Sequence, residues 1–244
     1  MERIVFRDVS KIFTLGGGRK LIQGHMRDWF HPAQRRKFTA LCDINLTMRE
    51  GESLAVVGAN GAGKSTLLNL ATRLCYPDKG VVEVNGRLAA VLELGNGFHG
   101  DLTGAENLRL CAALSGLSRQ RVSEVFGSMV DFSGVGEFIN QPLRTYSAGM
   151  VMRLAFSVAI HVDPDILVVD EVMAVGDQAF QAKCFERMLD FRRQGKTILC
   201  VSHAPETLRR MCDRAIWLDH GQIVARGSLD KVMTAYNGRT TNPV

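Results

Sequence analysis

The stretch Gly58-Ala59-Asn60-Gly61-Ala62-Gly63-Lys64-Ser65-Thr66 constrains this chain more than any other feature. It matches G-x-x-x-x-G-K-[ST] in full, a loop whose backbone N-H groups converge on phosphate oxygens. Glycines let the backbone turn that tightly; Lys64 neutralises the β and γ phosphates, and the Ser65 hydroxyl suits Mg²⁺. A continuously apolar run, Leu54 to Val57, precedes the loop, as in a strand covered on both faces. An apolar pattern at helical spacing follows from Lys64 to Leu74. Strand, glycine turn and helix in that order predict a nucleotide phosphate site, with Gly58, Asn60, Gly61, Ala62, Gly63, Lys64, Ser65 and Thr66 at its centre.

The remaining pattern predicts an α/β fold. Residues 3 to 9 read as a strand, and Cys42, Ile44, Leu46 and Met48 alternate onto one face of another. Asn85-Gly86 predicts a hairpin across 81 to 92. From about 103 to 162 the character is helical: Thr103 and Glu106 have capping-box spacing, Ser118 can cap a second helix, and a third runs from Ala148 to Val162. This lobe interrupts a mixed sheet whose buried strands fall at Ile166 to Val169 and Thr197 to Val201, separated by a helix from about Gln178. Residues 214 to 226 predict a hairpin turning at His220-Gly221, and a short helix follows. The pattern reads as one domain over residues 1 to 244.

Two further segments carry chemistry. Asp170 and Glu171 emerge from the end of the apolar run ILVV, where the first acid can reach Mg²⁺ and the second can polarise an attacking water. Ser147 and Gly149, within Tyr146 to Met150, open a helix, where unpaired N-H groups favour an anion; read by itself, a serine there is first of all an N-cap.

Together these residues resemble an ATP-binding cassette ATPase: a mixed RecA-like sheet, an N-terminal antiparallel β subdomain and an inserted helical lobe. The resemblance implies ATP and Mg²⁺ as cofactors. It makes Ser147, Ala148, Gly149 and Met150 the signature segment, Asp177 the D-loop acid and His203 the switch histidine at the γ-phosphate. It further implies a head-to-tail homodimer in which each signature faces nucleotide on the other copy, with Glu171 as catalytic base. The segments 92 to 108, 146 to 161 and 170 to 184 are similar to the short form of the ATPases that drive bacterial export of lipid-linked polysaccharide, such as O-antigen, capsule or teichoic acid. That implies a separate membrane-spanning permease and a place on the cytoplasmic face of the cell membrane. An importer, or a lipid or drug exporter, is the alternative. Cassette ATPases usually carry a metal-sensing glutamine before the helical lobe, but no Gln occurs between residues 35 and 119, leaving Glu93 nearest the expected place. Phe13 fits the position of the adenine-stacking aromatic, with Phe30 and Phe38 in contention.

Charge narrows the function further. The net charge of +5 resides in residues 16 to 38, which hold six cations and one anion; the rest of the chain is neutral, so nucleic acid is not an expected partner. This basic segment is similar to an N-terminal insertion of the same exporters. Leu21, Ile22, His25, Met26 and Trp29 recur at helical spacing, so residues 19 to 38 are expected to meet a membrane surface or the lipid-linked substrate, or else to pack on their own domain. No apolar run approaches the roughly 20 residues of a membrane span. The N-terminus lacks the apolar core of a secretory signal. The six cysteines, with no C-x-x-C among them, are expected to be reduced buried thiols.

Overall fold

The computed structural model describes residues 1–15, 36–91, 97–170, 177–202 and 204–240. In chain order the elements are β1 (Glu2–Leu15), β2 (Arg36–Arg49), β3 (Ser53–Val57), α1 (Lys64–Ala71), β4 (Lys79–Val84), β5 (Leu88–Ala90), α2 (Gly104–Leu114), α3 (Arg119–Ser133), α4 (Ala148–His161), β6 (Ile166–Val169), α5 (Gln178–Arg193), β7 (Thr197–Val201), α6 (Pro205–Met211), β8 (Arg214–Asp219), β9 (Gln222–Ser228) and α7 (Leu229–Thr240).

The strands form two sheets. A three-stranded antiparallel sheet has the order β2-β1-β4, and a six-stranded sheet has the order β5-β6-β7-β3-β8-β9, parallel except for β9. In the larger sheet β3 lies between β7 and β8, and all five of its residues are buried. Its side chains alternate between two cores. Leu54 and Val56 pack with Ile4, Phe6, Leu41, Leu67 and Leu68, under the antiparallel sheet and α1. Ala55 and Val57 pack with Phe156, Leu167, Phe180, Met188 and Phe191 on the opposite face. The uninterrupted apolar run is the consequence of both faces being covered.

Helices α2, α3 and α4 enclose a third core that includes Leu108, Val125, Met129, Leu154 and Val158. Because α4 gives Leu154 and Val158 to this core and Phe156 and Ile160 to the sheet's core, it joins the two. The capping-box bonds at Thr103 and Glu106 are both present, and Ser118 accepts from Arg121 N-H.

Three local expectations require correction. The described part of the expected hairpin, residues 81 to 91, forms none, because β4 pairs with β1 while β5 pairs with β6 in the other sheet. Asn85-Gly86 instead carries the chain between sheets, with Asn85 N-H donating to Arg3 O and Arg87 N-H to Asp165 Oδ2. Next, Cys42 is only half-buried while Leu41 is fully buried: Asp43 takes a φ of 50° at a break in the β1–β2 register, shifting the alternation by one. Finally, residues 36 to 38, counted above with the basic insertion, belong to β2, where they pair with residues 13 to 15.

The hairpin at His220-Gly221 is present, with φ of 46° and 77°, the double positive values of a tight two-residue turn. Among the described residues no helix is long and apolar enough to cross a membrane.

Candidate nucleotide site

The carboxyl ends of β3, β6 and β7 converge where strand order reverses around β3, the edge at which open α/β sheets bind ligands. The loop from Gly58 to Gly63 fills that edge. Gly58 has a φ of 153°, and a Cβ there would collide with the Leu218 carbonyl on β8. Gly63 has a φ of 106°, and its Cβ would lie 2.6 Å from Ala40 O and 2.9 Å from a Leu41 methyl. Neither position admits a side chain without moving a neighbouring strand. The hairpin tip holds the loop from the far side: Gly221 N-H donates to Ala62 O at 3.0 Å, and Gly221 O accepts from Cys42 N-H at 2.8 Å.

Helix α1 begins at Lys64 with Gly63 as its N-cap and no side chain bonding its first amides. Those amides and the helix dipole provide a positive cradle. The Lys64 ammonium donates to Gly58 O at 2.7 Å and Ala59 O at 3.1 Å, which curls it back over the loop. Burial holds its pKa below the ordinary lysine value, and the Asp170 carboxylate opposes that shift. A phosphate beside Lys64 would favour the charged form in the same way.

A cavity of about 270 Å³ opens over this loop, lined by Phe38, Ala40, Asn60, Gly61, Gly63, Lys64, Ser65, Thr66, Asp170 and Val201. The fold thus brings Asp170, more than a hundred residues downstream, to the same wall as Ser65. Of the two described aromatic candidates, Phe38 lines the cavity; Phe13 is its cross-strand partner on β1, with Lys11 Nζ 5.4 Å from its ring centroid. Phe30, Glu93, Glu171 and His203 lie outside the described residues.

Ser147 is the N-cap of α4, its Oγ accepting from Met150 N-H at 3.2 Å, and Ser147 and Ala148 are exposed. Tyr146 is buried against Gly104, and its hydroxyl donates to Phe138 O at 2.6 Å, fixing the start of the helix. Asp177 is the N-cap of α5, accepting from Phe180 N-H at 2.8 Å. No pattern in the sequence places Ala40 or Gly221 beside the loop, since both meet it through backbone atoms.

All six cysteines are unpaired; Cys184, Cys200 and Cys212 are buried, while Cys42, Cys75 and Cys111 are half-buried, fewer in the interior than expected. Burial pushes the Cys184 thiol up to about 12.

A phosphate loop at the switch point of a mixed sheet, faced by a strand-end aspartate, defines a P-loop nucleotide-binding protein. The chain belongs to the ABC transporter family, whose sequence profile matches residues 41–174. It is 44% identical over 237 residues to the O-antigen export system ATP-binding protein RfbB of Klebsiella pneumoniae, covering 96% of each chain. It is 43% identical over 243 residues to the protein of the same name from Myxococcus xanthus, covering 97% of this chain but only 56% of that relative's length. A solved ATP-binding subunit of an ABC transporter superposes with a TM-score of 0.75 at 25% identity, covering 97% of this chain and 94% of the other. Family and fold together make this chain a cassette ATPase.

Proposed function

We propose that this chain is the ATP-hydrolysing subunit that powers export of a lipid-linked polysaccharide through a separate membrane-spanning permease, at the inner face of the bacterial cell membrane. The observation that carries the reading is the 44% identity, end to end on both chains, to an O-antigen export subunit.

The site's own residues account for the chemistry. The amides of the loop, α1 and Lys64 take the phosphates, and Phe38 offers the base a face at the cavity's wall, in preference to Phe13. Ser65 and Asp170 are hard oxygen donors lining one cavity, and among the described residues no cluster of three His, Cys, Asp or Glu competes with them. That donor set fits Mg²⁺, which takes one or two carboxylate or hydroxyl ligands and completes its shell with water and phosphate. When bound, the ion neutralises charge developing on the transferring phosphoryl group. Glu171, next after Asp170, is assigned to the attacking water, His203 to the γ-phosphate and Glu93 to metal-bound water. Two copies are assigned to work head to tail, Ser147 to Met150 of one closing over nucleotide on the other. The exposed, capped start of α4 supports that arrangement.

The basic segment is assigned to the membrane surface or the lipid-linked substrate. Each cation near an anionic leaflet contributes about 1 kcal/mol, so three together matter. Replacing Arg19, Lys20 and Arg27 by Gln, which leaves β2 and Phe38 untouched, is expected to leave ATP binding by the cassette intact and to reduce export in the membrane complex; normal export removes the segment from the substrate path. The overall reading is tested by co-purification. A polytopic permease retained with the tagged chain, and loss of surface polysaccharide when the gene is deleted, support it. Nucleic-acid-stimulated hydrolysis without any membrane partner overturns it.

A further inference from the structure

The guanidinium of Arg153 ties the signature helix to the D-loop aspartate. Arg153 lies on α4, six residues and roughly 9 Å of helix beyond Ser147. Its Nη1 is 3.8 Å from Asp177 Oδ2, and its guanidinium carbon is 4.9 Å from the centroid of the fully buried Phe180 ring. Asp177 in turn holds the first turn of α5 through Phe180 N-H. One arginine thus engages both the cap of α5 and the residue that the cap bonds.

The surroundings are built for that side chain. Gly134, the left-handed cap ending α3, would place a Cβ 3.3 Å from Arg153 Nη2, so its missing side chain leaves the guanidinium its room. The Arg153 Nε is buried without a hydrogen-bond partner, a cost that packing on Phe180 offsets. Lys183, one turn further along α5, reaches Phe132 O at 3.1 Å at the end of α3. The start of α5 is therefore fastened to the helical lobe from both sides.

We propose that Arg153 is a positioning residue that makes the signature helix and the D-loop aspartate move as one body. In the paired arrangement proposed above, on which this inference rests, Ser147 serves the nucleotide of the other copy, whereas Asp177 lies six residues beyond Glu171, which serves its own. A rigid link between them makes closure at one nucleotide site felt at the second. Neutral packing would not require a fork-shaped cation: the guanidinium combines a flat face for Phe180 with a charge for Asp177, a pairing that lysine reproduces only in part.

The test uses the full chain in its membrane complex, measuring ATPase activity for Arg153→Ala, Arg153→Lys, Asp177→Asn and the Arg153→Ala/Asp177→Asn pair. A fluorescent ATP analogue reports binding, and thermal unfolding reports folding. Arg153→Ala is expected to lower kcat about tenfold, the scale of a 1.4 kcal/mol coupling, with KM and analogue binding changed far less. The pair is expected to be no slower than the worse single variant, and Arg153→Lys to recover part of the loss. Losses that multiply in the pair overturn the link, as does Arg153→Ala hydrolysing within twofold of the parent. If Arg153→Ala does not fold, Arg153→Lys and Asp177→Asn carry the same comparison. A Glu171→Gln background, examined for ATP-dependent dimers, separates the two ideas. No dimer with Arg153 intact refutes the paired arrangement itself, whereas a dimer equally populated with and without Arg153 refutes only the link.

Discussion

Asn107 is fully buried on α2, and its side chain is the internal strut of the loop that leads from residue 97 into that helix. Its Oδ1 accepts from His99 N-H at 2.7 Å, and its Nδ2 faces the carbonyls of His99, Leu102 and Thr103 at 3.0–3.1 Å. The three carbonyls have second donors: Leu102 N-H to His99 O, Leu143 N-H to Leu102 O, and Asn107 N-H itself to Thr103 O. The amide His99 N-H has no comparable substitute among the described bonds. Asn107→Ala therefore weakens several acceptors and orphans one donor, a cost of about 2–3 kcal/mol. For a chain of this size, each kcal/mol moves the melting temperature by roughly 2–4 °C, so a fall of about 4–12 °C is expected. Thermal unfolding followed by circular dichroism measures it. Asn107→Asp keeps an acceptor for His99 N-H but aims a carboxylate at three carbonyl oxygens, so at neutral pH it is expected to be the more damaging. A fall below 2 °C for the alanine variant, or a milder aspartate variant, would refute this account.

Glu171→Gln is expected to bind ATP while losing about 10² to 10⁴ in turnover, the usual contribution of a general base; unchanged hydrolysis removes Glu171 from the role. Mixing a Lys64→Ala chain with a Ser147→Arg chain is expected to leave at most one intact composite site per heterodimer, and normal hydrolysis by both single-variant homodimers would contradict the exchange of signatures. Iodoacetamide at pH 8 is expected to label Cys42, Cys75 and Cys111 in the folded chain and to spare Cys184, Cys200 and Cys212 until denaturant is added, with labelling sites read by mass spectrometry. His161 provides a pH test: burial pushes its pKa down, the bond of its ring to Ser157 O at 2.7 Å opposes that shift, and the Arg187, Arg121 and Lys183 charges add to it. The unfolded chain thus takes up a proton near pH 6.5 that the folded ring resists, so this contribution is full above about 6.5 and is lost toward acid. His161→Gln should flatten the fall in melting temperature between pH 7.5 and 5.5, and an unchanged slope would show that other groups cause it.

The features that sequence made legible are those whose physics is local. Gly58 and Gly63 announce their loop because the same backbone must turn left-handed and pass beside a strand. Thr103, Ser118 and Ser147 mark helix starts because each bonds an amide three residues on. His220-Gly221 forms its predicted turn for the same reason. Asn85-Gly86 shows the limit: its turn preference is real, but what it connects is decided by β1 and β6, dozens of residues away in sequence. Cys42 is displaced by a bulge at Asp43, whose partner across the sheet is no neighbour in sequence.

The site divides along the same line. Lys64 and Ser65 are fixed by the helix they begin, whereas the choice between Phe13 and Phe38 depends on strand register. The two rings are cross-strand partners, and only the pairing of β1 with β2 puts Phe38 on the cavity's wall. Periodicity cannot make that choice, because an aromatic at either position satisfies the same alternation. Arg153 is less legible still. On the helix that Ser147 caps it is a charged residue among mostly apolar ones, and its meaning comes from Asp177 and Phe180 at the start of α5 and from Gly134 at the end of α3. Residues that hold phosphate can therefore be read from a short string. Those that would connect one nucleotide site to another become visible only when the helices carrying them are packed, which is why the tests that pair Arg153 with Asp177 bear on the transport cycle more directly than further substitutions in the phosphate loop.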